Sequence, residues 1–262
     1  MIFGKSLARI LDLASETIEQ ASRLAFLLIR LNRVPPSKLE DYQHVLVIAP
    51  HPDDEVFGLG GYLLQQIPRH GTVSIIYVTD GEKSLPELPS ELVSQERQRL
   101  CEEVLRKLGV PDNHVYRLHL PDGSIPGKGA STFHHAVKHL VELISKIHPE
   151  AIFVTHCHDG HRDHKNSYEM TEEAARNISF PVDVYAYWVW LWYLIPIKRI
   201  ASLDWCGTIR LPVHKEASGK RLLVRDYLEP LSPIGKPWIG VLPKLLVRLS
   251  RYPYEIVTKM SP

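Results

Sequence analysis

The sequence predicts an α/β fold: a mainly parallel sheet with helices on both faces, plus an N-terminal helix. Three observations carry this. From residue 44 onward, short apolar runs of strand length alternate with amphipathic segments of helix length. The runs are apolar at successive positions rather than at every second one, as in strands buried on both faces. The 262 residues are 44% hydrophobic and 23% charged, an ordinary globular composition that excludes collagen-like and disordered chains and can fill a sizeable core.

The elements follow in order. Residues 6–32 read as one helix, with Leu7, Leu11, Ala14, Ile18, Ala21, Ala25 and Leu28 along one face. Val34-Pro35-Pro36 ends it, because proline removes an amide donor and clashes with the preceding turn. Strands are expected at 45–49, 73–78, 114–118 and 151–155. Helices are expected at 56–67, 90–108, 132–147 and 164–177, the second closed by Gly109 as a left-handed cap. Residues 182–194 read as a strand running into a loop, with Trp188, Trp190 and Trp192 on one face. A helix is expected at 214–229, and an amphipathic helix in the stretch from Lys236 to Tyr254. This divides the chain into an N-terminal helical extension, 1–40, and one α/β domain, 41–262.

Lys plus Arg number 31 and Asp plus Glu 30, a net charge of +1. A general nucleic-acid binder needs a basic surplus, so no nucleic acid partner is expected. No run approaches the roughly 18 apolar residues that span a bilayer. Cys101, Cys157 and Cys206 have no paired spacing, which argues against a disulfide framework and for a reducing cytoplasm. The N-terminal helix and the Lys236–Tyr254 stretch are the two candidates for peripheral membrane contact. A homo-oligomer is expected.

The polar residues cluster directly after the strands. His51-Pro52-Asp53-Asp54-Glu55 follows the first, Thr79-Asp80-Gly81-Glu82 the second, Pro121-Asp122-Gly123 the third and His156-Cys157-His158-Asp159-Gly160-His161-Arg162-Asp163-His164 the fourth. In a parallel sheet these loops share the edge where open α/β folds bind ligands. A histidine beside two carboxylates offers nitrogen and oxygen donors to one divalent ion, which would also relieve the repulsion between Asp53 and Asp54. The alternative is an acidic cap for the next helix. His161 and His164, spaced for ligands at a helix start, add weight to the metal, and Asp163 could hold a ring nitrogen. Nitrogen and carboxylate donors without thiolate suit Zn²⁺, and also Fe²⁺, Co²⁺ or Mn²⁺. Gly58-Leu59-Gly60-Gly61 comes after a charged box rather than directly after the strand, unlike a nucleotide-binding loop.

The box from Ala49 to Glu55, with His161-Arg162-Asp163-His164, resembles the PIG-L (LmbE-like) de-N-acetylase family. The resemblance takes in the Thr79 and Pro121 loops and Arg97 ahead of Leu108-Gly109-Val110, and spans about 44–180. It implies a Rossmann-like fold, a deacetylase domain over 41–262, and removal of an N-acetyl group from an amino sugar or glycoconjugate of glucosamine type by zinc-bound water. Carried over by position, it implies His51, Asp54 and His164 as zinc ligands and Asp53 as general base. It further implies a protonated His161 beside the tetrahedral intermediate, with Asp163 orienting the His161 ring. Arg97 and Asp122 are expected to contact substrate. Arg162 stands where many relatives have proline, a cation that would favour an anionic substrate. The alternatives are a zinc amidohydrolase for another N-acyl metabolite or antibiotic, and a catalytically silent metal- or sugar-binding module.

Overall fold

β1 (His44–Ala49) is buried from Val45 to Ala49 because it lies in the middle of the sheet, parallel to β2 (Thr72–Tyr77) on one side and β4 (Ala151–Thr155) on the other. The computed structural model describes residues 18–69, 71–238, 242 and 244–260. The sheet is completed by β3 (Val115–Arg117), β5 (Asp183–Tyr187), β6 (Thr208–Pro212) and β7 (Tyr254–Lys259), in the order β3-β2-β1-β4-β5-β7-β6. β1 to β5 are parallel, while β7 runs antiparallel to both β5 and β6. The chain builds outward from β1 to β3, then returns to lay β4 and β5 on the other side. That reversal opens a crevice beyond the carboxyl ends of β1 and β4. The His51 and His156–His164 loops emerge there.

One face of the sheet carries α2 (Asp54–Gln66), α3 (Ser90–Leu108) and α8 (Ala217–Leu228). The other carries α4 (Phe133–Ile147) and α5 (Arg162–Asn177). α3 ends at Gly109, whose φ of 92° is the left-handed cap expected there. A smaller cluster joins α1 (18–31) to Trp188, the short helices α6 (Leu191–Leu194) and α7 (Ile197–Ile200), and Ile256 of β7.

Three expectations change. The first is the face of the N-terminal helix, whose residues 6–17 lie outside the described ones. From residue 18 on, α1 buries Leu27 and Leu31, with Leu24 and Leu28 beside them, and leaves Ile18 67% exposed. Leucines at i, i+3, i+4 and i+7 win because they reach further into the tryptophan cluster than Ala21 and Ala25. The second is the tryptophan row. β5 stops at Tyr187, and Trp192 belongs to α6, so period-two alternation does not apply. Trp188 and Trp192 are buried together, with rings 5.5 Å apart, while Trp190 lines a cavity. The third is the end of the chain. Among the described residues of that stretch the α-helix is Lys244–Leu249 (α9), and β6 and β7 form an antiparallel edge.

α2 is held in an unusual way. The buried carboxylate of Glu255 in β7 accepts the amides of Gly61 (2.7 Å) and Tyr62 (2.8 Å) in mid-helix. The buried Lys220 ammonium donates to Glu255 (2.7 Å) and to the Phe57 carbonyl (2.8 Å). Glycines permit the approach: a Cβ on Gly58 would run into the Tyr187 ring, and one on Gly61 would stand 2.6 Å from Val213 Cβ. Removing one partner of such a pair leaves a buried charge without compensation. Glu255→Ala is therefore expected to destabilise the fold by about 3–5 kcal/mol in urea titration. A change under about 1 kcal/mol would show that the pair does not support α2.

Candidate metal centre and active site

The turn after β1 is strained. Asp53 sits at the N-cap of α2 with φ 123° and ψ −25°, outside the common regions for a non-glycine residue, and its side chain does not cap the helix. An acidic cap therefore does not explain the box, and strain of this kind gathers where function holds it in place. Instead the Asp53 carboxylate meets Arg97 Nη2 of α3 at 3.1 Å. Arg97 is buried and also donates to the Pro52 carbonyl. Glu55 accepts the Asp53 amide (3.1 Å) and the Tyr227 hydroxyl (2.7 Å), and burial pushes its carboxyl up to about 7. Burial also raises Asp53, opposed by the charge of Arg97.

Asp54 Oδ2 stands 3.2 Å from His51 Nδ1 and 3.2 Å from His164 Nε2. His164 Nδ1 lies 2.6 Å from Asp159 Oδ2. A carboxylate only accepts, so Nδ1 carries the proton and a neutral ring turns the Nε2 lone pair toward Asp54. That buried Nε2 has no hydrogen-bond partner among the described residues. The other side of His51, Nε2, faces Asp122 Oδ1 (3.2 Å) and Asp163 Oδ2 (3.4 Å), which leaves Nδ1 for the Asp54 side. Two lone pairs and an anionic oxygen thus converge, an arrangement that needs positive charge between them. Around a tetrahedral zinc with bonds of about 2.0–2.1 Å, donor atoms stand roughly 3.3–3.4 Å apart, close to the spacing found. The donor set fits a divalent ion. His51, His161 and His164 also each offer a nitrogen within 4.8 Å of the others, and His51, Asp122 and Asp163 form a second, overlapping group. In the free protein, protons supply the charge. Burial alone would lower His164, but Asp54 and Asp159 raise it to about 9.

His161 is the N-cap of α5, and its Nδ1 accepts the Asp163 amide at 3.3 Å. The ring proton therefore sits on Nε2, and His161 lines the cavity. Two expectations change here. Burial, with His164 and His51 nearby, lowers His161 to about 4, so near neutral pH it is a neutral donor rather than an imidazolium. The Asp163 carboxylate does not hold the His161 ring: it accepts the Gly123 amide (2.6 Å) and faces His51, and only its backbone amide meets His161.

The substrate-contact expectations divide. Arg97 and Asp122 both line a cavity of about 330 Å³ over the His–Asp cluster. Asp122 also accepts the Lys83 amide at 2.9 Å. Arg162 is exposed, donates to the Gly123 carbonyl and lies outside the cavity lining; the exposed cation in that lining is Lys83. Sequence reasoning missed Asp159. It is fully buried and spans two jobs: Oδ2 fixes His164, and Oδ1 accepts the amides of Val189 (3.1 Å) and Leu191 (2.6 Å). Its place five residues before His164 in a His-rich run was the available signal.

Residues 46–175 match the family model "PIG-L: GlcNAc-PI de-N-acetylase". A curated relative, 1D-myo-inositol 2-acetamido-2-deoxy-alpha-D-glucopyranoside deacetylase 1 of Catenulispora acidiphila, is 27% identical; the match covers 56% of this chain and 53% of the relative. The chain thus spans about half the length of that relative. The N,N'-diacetylchitobiose deacetylase of Pyrococcus horikoshii superposes with a TM-score of 0.64 at 18% identity, over 84% of this chain and 85% of the other. GalB, the 4-carboxy-2-hydroxymuconate hydratase of Pseudomonas putida KT2440, gives 0.59 at 15% identity, over 84% and 97%. At these identities the structures share the fold, and the fold alone does not choose the reaction. The match across both boxes places this chain in the PIG-L (GlcNAc-PI de-N-acetylase) family.

Proposed function

We propose that this chain is a zinc-dependent hydrolase that removes the acetyl group from an N-acetylated amino sugar. One observation carries the proposal: ring nitrogens of His51 and His164 each stand 3.2 Å from Asp54 Oδ2, and Asp53 follows in a strained turn beside them. Those three residues would hold the ion. When bound, Zn²⁺ supplies Lewis acidity and brings the pKa of water down to about 7.

The other steps belong to the chain. Asp53, next to Asp54, takes a proton from the attacking water. The Arg97 charge opposes the rise that burial causes in Asp53 and pins its carboxylate at 3.1 Å. Asp122 and Asp163 fix the His51 ring from its far side, and Asp159 fixes His164. As the acetamide carbonyl gains charge, His161 donates from Nε2, a contact stronger in the transition state than in the ground state. The C–N bond then breaks, and Asp53 returns its proton to the leaving nitrogen. The products are acetate and a free amine.

The test is metal-loaded protein with a panel of N-acetylglucosamine conjugates, reading acetate and primary amine together. Equal amounts of both, abolished by a chelator and restored by Zn²⁺ or Co²⁺, are expected. A panel that yields no amine would remove the deacetylase reading. Arg97 gives a sharper check. In Arg97→Met, burial acts on Asp53 without the opposing charge, so Asp53 protonates at higher pH. The acid limb of the kcat/KM profile should move to higher pH than in the wild type. An unmoved limb would mean that Arg97 does not tune the base.

A further inference from the structure

We propose that the cavity continues from the metal centre into an aglycone subsite, and that the amino sugar taken by this chain carries a hydrocarbon group on its anomeric oxygen. The inference rests on the deacetylase reading and names its substrate class.

One part of the cavity is the His–Asp cluster. Much of the rest is apolar: Phe57, Trp190, Leu228, Trp238, Leu242 and Leu246. The two parts are one side chain apart. Arg97 pairs with Asp53 and places its guanidinium carbon 5.6 Å above the Trp238 ring. The His161 ring lies 6.4 Å from that of Trp190, inclined by 32°. A sugar whose acetamide reaches the cluster therefore meets the apolar wall with the atoms that lie further out. A polyol or second sugar there would give up water for a surface with few partners, whereas a hydrocarbon gains from burial.

Two buried donors place the sugar ring itself. Trp238 is 2% exposed and Arg97 8%, and both line the cavity. Neither Trp238 Nε1 nor Arg97 Nε has a hydrogen-bond partner among the described residues. A buried N–H without an acceptor is costly, and hydroxyl or glycosidic oxygens of a bound sugar would supply one. The cavity of about 330 Å³ lies at the low end of small-molecule sites, which suits one ring and the start of an aglycone. Trp190, Leu228, Trp238, Leu242 and Leu246 all come after the family match, which ends at residue 175.

The experiment compares octyl and methyl glycosides of N-acetylglucosamine, with the octyl compound below its micelle concentration, by kcat/KM and by calorimetric affinity. The wild type should favour the octyl glycoside by about tenfold or more in both. In the Leu242→Ala, Leu246→Ala double variant the octyl-to-methyl ratio should fall toward one. Trp238→Phe keeps an apolar wall and removes the N–H, so both glycosides should lose about fivefold with their ratio kept. A wild-type ratio near one, or an unchanged ratio in the double variant, would overturn the subsite. A tenfold affinity preference with no acetate released keeps the subsite and removes the deacetylase reading instead.

Discussion

Asp53→Asn is expected to lower kcat by about 10²–10⁴ while metal content stays at the wild-type level, the usual range for a lost acid–base group. The change keeps the size of the side chain and removes its basicity. Asn also tolerates unusual backbone better than most residues, so the turn at φ 123° is least disturbed by this replacement. Metal should stay because His51, Asp54 and His164 are untouched. The loss should appear in kcat rather than KM, since Asp53 acts on water in the transition state and not on bound sugar. Turnover within a few-fold of wild type would take Asp53 out of the role of base. Loss of metal in parallel with activity would instead make it a ligand.

His164→Ala is expected to abolish stoichiometric metal and, with it, activity. His164 is fully buried between Asp54 and Asp159, so the variant loses the nitrogen donor that faces Asp54. Metal analysis of dialysed protein checks this, with the unfolding midpoint read on the same samples, because the variant also strands two buried carboxylates. Asp159→Asn grades the effect. It keeps shape and weakens the hold on His164, so metal affinity should fall about 10–100-fold, as for other partners of metal-bound histidines. Full metal occupancy in folded His164→Ala would show that the ion is held elsewhere. Affinity unchanged in Asp159→Asn would show that His164 needs no such support.

Much of the site was legible before any fold was known. Chemistry here is concentrated in contiguous runs. His51 to Glu55 and His156 to His164 each follow an apolar strand, and the strand–helix alternation puts such loops on one edge. The local direction of side chains was not legible. Asp163 stands between His161 and His164 in sequence, yet its carboxylate turns to the Gly123 amide and His51, because α5 begins at Arg162 and swings that position inward. Arg162, one residue earlier, faces out for the same reason. The tryptophan row failed because a strand's period was extended past the point where the chain turns into α6. β6 and β7 were missed because an antiparallel edge is set by pairing between segments far apart, not by a pattern within either.

What the sequence determined by itself is the central alternation from β1 to β5 and the candidate residues for holding a metal and moving a proton, since both rest on local periodicity and residue chemistry. Tertiary structure decided which nitrogen of each histidine meets which carboxylate, that burial lowers the pKa of His161, and that Trp190, Trp238 and Leu246 face the same cavity as His51. Those outcomes depend on burial and on how segments as far apart as residues 51 and 246 come to line one cavity. No local pattern encodes such contacts; packing does.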